Sequence, residues 1–315
     1  MTLKAPKFWQ KKGLLSLILS PLGWLYGQIV AWRLRSHKNK VSVPVICVGN
    51  LTLGGAGKTP VVIALAQEFQ RLGHTPHILS RGYGGKGYQV LRVETTQQTA
   101  AEVGDEALLL AEIAPTWVGA DRYQSAQAAV AAGATLLIMD DGLQSPTLYQ
   151  DFKIAVFDGQ IPFFNKRIFP AGPLREDFSK GLQRIDYLVL NNFKDIPSWA
   201  VKLPCTLATT LSDQIPTKER YLAFAGIGYP EKFYWLLAKK GFNIIETHSF
   251  ADHHFYSNQE INELIQKAKK IKAHLITTEK DLVKIPKDAK KNIQSLKIRL
   301  EADLTEIVNK VLKFF

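Results

Sequence analysis

Residues 52–59 read Thr-Leu-Gly-Gly-Ala-Gly-Lys-Thr, types and spacing that suit one kind of chemistry, the holding of a polyphosphate. Glycine tolerates positive φ, so successive N–H groups in such a turn can point inward at an anion. The phosphate-loop pattern G-x-x-x-x-G-K-[S/T] has Thr52 in place of its first glycine, while Gly57, Lys58 and Thr59 match it. A short β-branched strand (VPVICVGN) precedes the turn and a helix over 59–72 follows, adding its positive end to the site. In this reading Thr52, Leu53, Gly54, Gly55, Ala56 and Gly57 wrap the phosphates. Lys58 reaches the β and γ phosphates and Thr59 ligates Mg²⁺. The flanking strand and helix disfavour the plainer alternative, an ordinary Gly-rich turn.

A phosphate loop needs acids for its metal. Asp140 and Asp141 end the apolar run ATLLIM, where a metal-binding aspartate belongs. Ligands of open α/β sheets gather at the carboxyl ends of strands, so this pair and the loop share one edge. Two adjacent acids beside phosphate repel one another unless a cation is present. Asp105-Glu106 opens another helix, and simple capping by first-turn acids explains that pair as well as chemistry does. Arg81-Gly-Tyr83 follows a strand, Asp121-Arg122 precedes a helix, and Gly172-Pro-Leu-Arg175 reads as a rigid loop with another arginine. Asp252-His253-His254 places an Asp–His pair in a loop, a fair acid–base candidate. Thr277-Thr278-Glu279-Lys280-Asp281 reads as a surface turn, and the lysines at 267, 269, 270 and 272 as a solvated helix face.

The elements that position these residues alternate between strand and helix from Val41 onward, which implies a parallel sheet covered on both faces. The expected fold is α/β, a P-loop NTPase-type parallel sheet flanked by helices over residues 41–202. A smaller C-terminal α/β lobe over 203–315 follows an irregular polar stretch at 198–219 and completes the cleft. The 315 residues are enough to bury a sizeable core, and 46% hydrophobic with 22% charged residues excludes disorder, collagen and coiled coil. The two cysteines, Cys47 and Cys205, exclude a disulfide framework and a four-cysteine zinc site, and point to a reducing compartment. The net charge of +12 suits nucleic acid, an anionic membrane or a phosphorylated substrate.

Residues 1–40 form a segment of their own. Lys4, Lys7, Lys11 and Lys12 precede an uncharged run from Gly13 to Trp32, and Arg33, Arg35, Lys38 and Lys40 follow it. The run approaches the ~20 residues that span a bilayer, but Pro21, Gly23 and Gly27 interrupt it and both flanks are basic. With Trp9, Trp24, Tyr26 and Trp32 it reads as a membrane-associated broken helix lying in the headgroup layer; the competing reading is a buried helix hairpin.

Taken in order, VGNLTLGGAGKTP, LSRGYGG, VGDEALLLA, DDGLQ, AGPLRE, ADHHFYS and TTEKD resemble the motif series of the tetraacyldisaccharide 4'-kinases, the lipid A 4'-kinases of Gram-negative bacteria. The resemblance covers nearly the whole chain, the N-terminal segment included. Thr52 is normal for that family, whereas Leu143 stands where many members have Phe. The resemblance implies transfer of the ATP γ-phosphate to the 4'-hydroxyl of a tetraacylated glucosamine disaccharide 1-phosphate, at the cytoplasmic face of the inner membrane. It implies Asp105 as the catalytic acceptor of the hydroxyl proton, with His253 orienting or tuning that carboxylate and Lys58 also catalytic, and Glu106 and Asp141, with Thr59, as the metal site. Arg81, Tyr83, Arg122, Gln144 and Arg175 resemble residues that shape the phosphate and sugar sites. The implied partners are a glycolipid and the inner-membrane surface, with no nucleic acid. Two other readings compete. A membrane-peripheral ATPase acting on a protein shares the loop and the anchor. A nucleic-acid-dependent ATPase fits the charge but leaves the aromatic N-terminal run without a role. A GTPase is disfavoured because NNFKD is not an N-K-x-D guanine motif.

Overall fold

The computed structural model of the protein describes residues 6–11, 13–36, 38–82, 85, 89–161 and 165–315, the side chains of Lys7 and Gln10 excepted. The N-terminal segment forms two short helices, α1 (Leu14–Ile18) and α2 (Ser20–Leu34). The break falls at Leu19, and Pro21 sits in the first turn of α2, where its missing N–H leaves no bond unmade. Gly23 and Gly27 let α2 press onto Ile168, whose carbonyl oxygen would lie 2.6 Å from a Cβ at position 23. The opposite side of the helix is left bare, with Leu22, Leu25, Ile29 and Trp32 all about half or more exposed. Among the described residues no helix is long and apolar enough to cross a membrane.

The first lobe follows as β1 (Val45–Gly49), α3 (Lys58–Arg71), β2 (Pro76–Ser80), β3 (Leu91–Arg92), α4 (Ala100–Val103), α5 (Asp105–Ala111), β4 (Thr116–Val118), α6 (Arg122–Ala131), β5 (Leu136–Asp140), β6 (Phe152–Asp158), α7 (Phe178–Leu182), β7 (Tyr187–Asn191) and β8 (Cys205–Leu211). The second lobe comprises β9 (Arg220–Ala225), α8 (Pro230–Lys240), β10 (Asn243–Ser249), α9 (Asn258–Lys270), β11 (His274–Thr278), α10 (Glu279–Leu282), α11 (Lys287–Lys290) and β12 (Ile293–Leu296). The chain then returns to the first lobe as β13 (Arg299–Ala302) and α12 (Thr305–Val311).

Among the described residues the large sheet has nine strands in the order β13-β8-β7-β6-β1-β5-β2-β4-β3, parallel except at its two edges. Its central strands are buried along their whole length, as strands covered on both faces must be. On one face α3 packs Val61, Leu65 and Phe69 against β1 and β5, joined by Ile307 and Val311 of α12. On the other, Ala126 and Ala129 of α6 lie over Leu137 and Met139. The smaller sheet, β10-β9-β11-β12, is parallel throughout, with α8 on one face and α9 on the other. A cut at residue 203 divides the chain differently from the sheets. Cys205–Leu211 pairs with β7, and the last seventeen residues belong mostly to the first lobe. Strand β8 is only partly buried, so CTLATTL lacks the apolar run that marks an inner strand.

Candidate active site

Strand β1 delivers the chain into the glycine turn, and α3 begins at Lys58 with Gly57 as its N-cap. Gly57 has φ +80, and a Cβ there would sit 2.8 Å from the Nδ2 of Asn191, so both the backbone angle and the space call for glycine. The turn is braced from beneath. Leu53 donates its N–H to the Pro173 carbonyl at 2.7 Å, and Arg175 donates its backbone N–H to Leu51 at 2.8 Å. Gly54 and Gly55 stay exposed at the tip.

The two aspartates at the end of β5 are treated differently. Asp141, at φ +56, accepts a two-pronged bond from Arg175 at 2.8 and 2.9 Å and faces Lys58 at 3.7 Å. Burial disfavours its charge, but Lys58 and Arg175 more than offset that and hold its carboxyl below the usual range. Asp140 is 2% exposed, and its Oδ1 has no hydrogen-bond partner among the described residues. Burial, together with Glu106 and Asp141, pushes its carboxyl up to about 7. Arg122 is buried beside it and donates to the carbonyls of Gly119 and Asp140. Burial lowers that guanidinium to about 10, still a cation at neutral pH. Gln144 links Arg175 to Glu176 and to the Asn50 carbonyl.

A buried strand-end acid whose Oδ1 finds no partner among the described residues fits a divalent cation. Thr59 and Glu106 line the same cleft. Among the described residues no three His, Cys, Asp or Glu side chains are gathered as a ready-made metal cage.

The second lobe supplies the other wall. His253, also at φ +56, has its Nδ1 at 3.0 and 3.2 Å from the two carboxylate oxygens of Asp105. The pair joins α5 of the first lobe to the loop after β10. Burial works against charge on Asp105, but the His253 hydrogen bond, Lys280 and Lys284 overcome it and hold the carboxyl at about 2. With that carboxylate ionised, Nδ1 is the donor and Nε2 is the ring's other nitrogen. His253 lines the cleft, whereas Asp105, 3% exposed, lies behind it. Glu106 turns into the cleft and meets the Nζ of Lys280 at 3.1 Å.

The cleft between these walls measures about 1820 Å³, well above the few hundred Å³ that enclose one small ligand. It reaches from Gly54–Thr59 to Tyr26, Val30 and Arg33 of α2, so one space joins the phosphate loop to the N-terminal helix. Of the residues singled out from sequence, Leu53, Gly54, Gly55, Ala56, Gly57, Lys58, Thr59, Arg81, Glu106, Arg122, Asp141, Gln144, Arg175 and His253 all face this space. Thr52 and Asp105 stand directly behind its walls, and Tyr83 lies outside the described residues.

The expected surface turn at 277–281 proves to be interior. Thr277 and Asp281 are fully buried and Lys284 is 7% exposed. The turn follows the carboxyl end of β11 in the middle of a parallel sheet, where chains dive into clefts rather than out to solvent. That position, shared with Asp140-Asp141, was the available signal. Another cross-lobe link has no local sequence signal: Lys232 of α8 ion-pairs with the buried Asp158 at the end of β6. The lysines of α9 do form a solvated face, opposite Ile261, Leu264 and Ala268.

The family model for tetraacyldisaccharide-1-P 4'-kinase matches residues 15–314. The chain belongs to this family. Tetraacyldisaccharide 4'-kinases of Gluconobacter oxydans and Jannaschia sp. are 41% and 42% identical to it, covering 91% and 98% of this chain and 90% and 99% of their own lengths. A crystal structure of LpxK from Aquifex aeolicus in complex with ATP aligns with a TM-score of 0.78 at 28% identity, over 96% of this chain and 100% of that one. The motif series resembling the tetraacyldisaccharide 4'-kinases therefore identified the family, and the mostly parallel α/β sheet flanked by helices is the fold that structure shares.

Proposed function

We propose that the protein transfers the γ-phosphate of ATP to the 4'-hydroxyl of a tetraacyldisaccharide 1-phosphate, using Mg²⁺, at the cytoplasmic face of the inner membrane. The observation that carries this reading is the family match over residues 15–314, in a chain whose phosphate loop faces an Asp–His pair across one cleft. Residues 52–57 and Lys58 hold the triphosphate. Thr59, Glu106 and Asp140 would hold the magnesium ion, which when bound neutralises charge on the phosphate oxygens. Asp140 replaces the Asp141 expected at the metal from the sequence, because Asp141 is committed to Arg175 and Lys58 and positions those two cations. Arg81, Arg122, Gln144 and Arg175 address phosphate and sugar, and Tyr83 is carried over from the resemblance alone.

Phosphoryl transfer is largely a matter of alignment, and the walls serve that end by holding acceptor and triphosphate in one space. The hydroxyl gives its proton to the Asp105–His253 pair. The resemblance makes Asp105 the acceptor and His253 its orienting partner; because His253 is the member on the cleft wall and Asp105 lies ionised behind it, we exchange those roles, with Asp105 orienting the ring and stabilising its protonated form.

The glycolipid stays anchored in the bilayer because extracting its chains costs about 0.8 kcal/mol per CH₂. The bare side of α2 rests in the headgroup layer, and the cleft behind α2 admits the sugar. The test offers γ-labelled MgATP and three acceptors: a lipid A disaccharide in detergent micelles, protein and nucleic acid. Label is expected on the glycolipid, and none after chelation of Mg²⁺. Hydrolysis stimulated by a protein and indifferent to glycolipid would replace this reading with a membrane-peripheral ATPase.

A further inference from the structure

We propose that Lys280 and Lys284 are positioning residues, two ammonium groups of the second lobe that hold the Asp105 carboxylate in the orientation in which it engages His253. The inference rests on the reading of Asp105–His253 as the pair that takes the proton.

Asp105 opens α5, and its Oδ1 accepts the backbone N–H of Glu106 at 2.8 Å. Its Oδ2 faces His253 Nδ1 at 3.0 Å, Lys284 Nζ at 3.7 Å and Lys280 Nζ at 3.9 Å. Among the described residues, every side chain that reaches this carboxylate comes from the second lobe. Apart from the Glu106 N–H, a first-lobe acid is thus set in place by second-lobe groups.

Lys284 is a fixed point rather than a swinging arm. Its side chain has no solvent exposure, it pairs with Asp281 at 2.8 Å, and it donates to the Gly226 carbonyl at 3.0 Å. Asp281 is itself pinned by the Gly226 N–H and by the hydroxyls of Tyr256 and Thr278. The same Gly226 carbonyl also accepts the backbone N–H of His253. Lys284 therefore touches the acid and shares an anchor with the histidine. A buried ammonium is tolerable only where acids surround it, so its place is set by the groups it matches. Lys280 works from the cleft side. Partly exposed, it spans Glu106 at 3.1 Å and Asp105 at 3.9 Å.

The test compares Lys284→Met, Lys280→Met and Lys280→Arg with wild-type protein, and each lysine-to-methionine change with its combination with Asp105→Asn. Each methionine variant is expected to lower kcat by about tenfold or more, as couplings within one contact network do. The dissociation constant for ATP should stay unchanged, and Lys280→Arg should recover most of the rate. In the Asp105→Asn background neither lysine change should lower the residual turnover further. Lys280→Met, which leaves the Asp281 cluster whole, decides the matter should Lys284→Met fail to fold. Wild-type kcat in folded Lys280→Met, ATP affinity falling in step with the rate, or full additivity with Asp105→Asn would each overturn the proposal. Full turnover in Asp105→Asn alone would instead overturn the reading of the pair itself.

Discussion

Asp105 and Asp140 are both buried aspartates at the border of one cleft, and their surroundings push them in opposite directions. Asp140, on the phosphate-loop face, keeps an oxygen with no partner among the described residues and is driven up to about 7. Asp105, clasped by the second lobe, has three cationic or donor side chains against it and is held at about 2. Among the described residues one face leaves a carboxylate oxygen without a partner, whereas the other has its carboxylate met within the fold. In the proposed function the first is a binding surface that a cation and a polyphosphate finish, and the second a proton-handling surface that the fold finishes.

The sharpest way to break that division is kinetic. Asp105→Ala should lower turnover by about a thousandfold, within the range for loss of general-base assistance, while ATP still binds by calorimetry. Normal turnover would remove the second-lobe face from the chemistry. Lys58→Met should reduce kcat by about a hundredfold or more through lost stabilisation of the phosphates, and it should weaken ATP binding as well. If both variants changed only turnover, the two faces would not be separable.

The ligand-free protein offers a thermodynamic version. An acid held below its ordinary value stabilises the fold above that value, and the contribution is lost as pH falls through the folded value. Asp105→Asn should therefore cost roughly 2 kcal/mol near neutral pH, following a shift from 3.8 to about 2, with the cost vanishing as pH falls toward 2. Asp140 has the reverse sign. A raised carboxyl penalises the fold increasingly from pH 3.8 up to about 7 and fully above it. Asp140→Asn should raise the melting temperature at pH 8 and leave it unchanged at pH 3.5. Equal signs for the two variants in denaturation measured across pH would dissolve the comparison. Smallest in effect, Gly57→Ala should cost about 1–2 kcal/mol for its left-handed backbone. The Asn191 amide must also shift, which should show as weaker ATP binding; an unchanged protein would mean that the loop's shape is not enforced from below.

How much was legible follows the same division. The phosphate loop could be read because its chemistry is local: eight consecutive residues between a strand and a helix supply the amides, the lysine and the hydroxyl. Asp105 was an even contest from the residues alone, since an acid at a helix start has an ordinary capping role. Its partner lies 148 positions away, and no spacing rule spans that distance. The polar residues of the turn at 277–281 suggest a surface turn, yet polarity there reflects a mutually satisfied cluster around Asp281. Strand β8 was missed because a partly covered strand carries no continuous apolar run.

By itself the amino-acid order determined the parallel α/β class, the phosphate loop, the strand-end acids and the apolar, basic-flanked N-terminus. Each is a pattern within a few neighbouring residues, and backbone geometry acts over that range. Only the tertiary structure decided that Asp140 is left unmatched while Asp141 is taken by Arg175, that His253 stands before Asp105, and that two lysines of the second lobe close on the same carboxylate. Those outcomes depend on which groups burial forces together, because an acid out of water takes its protonation and orientation from whatever charge and hydrogen bonds the fold places within a few ångströms.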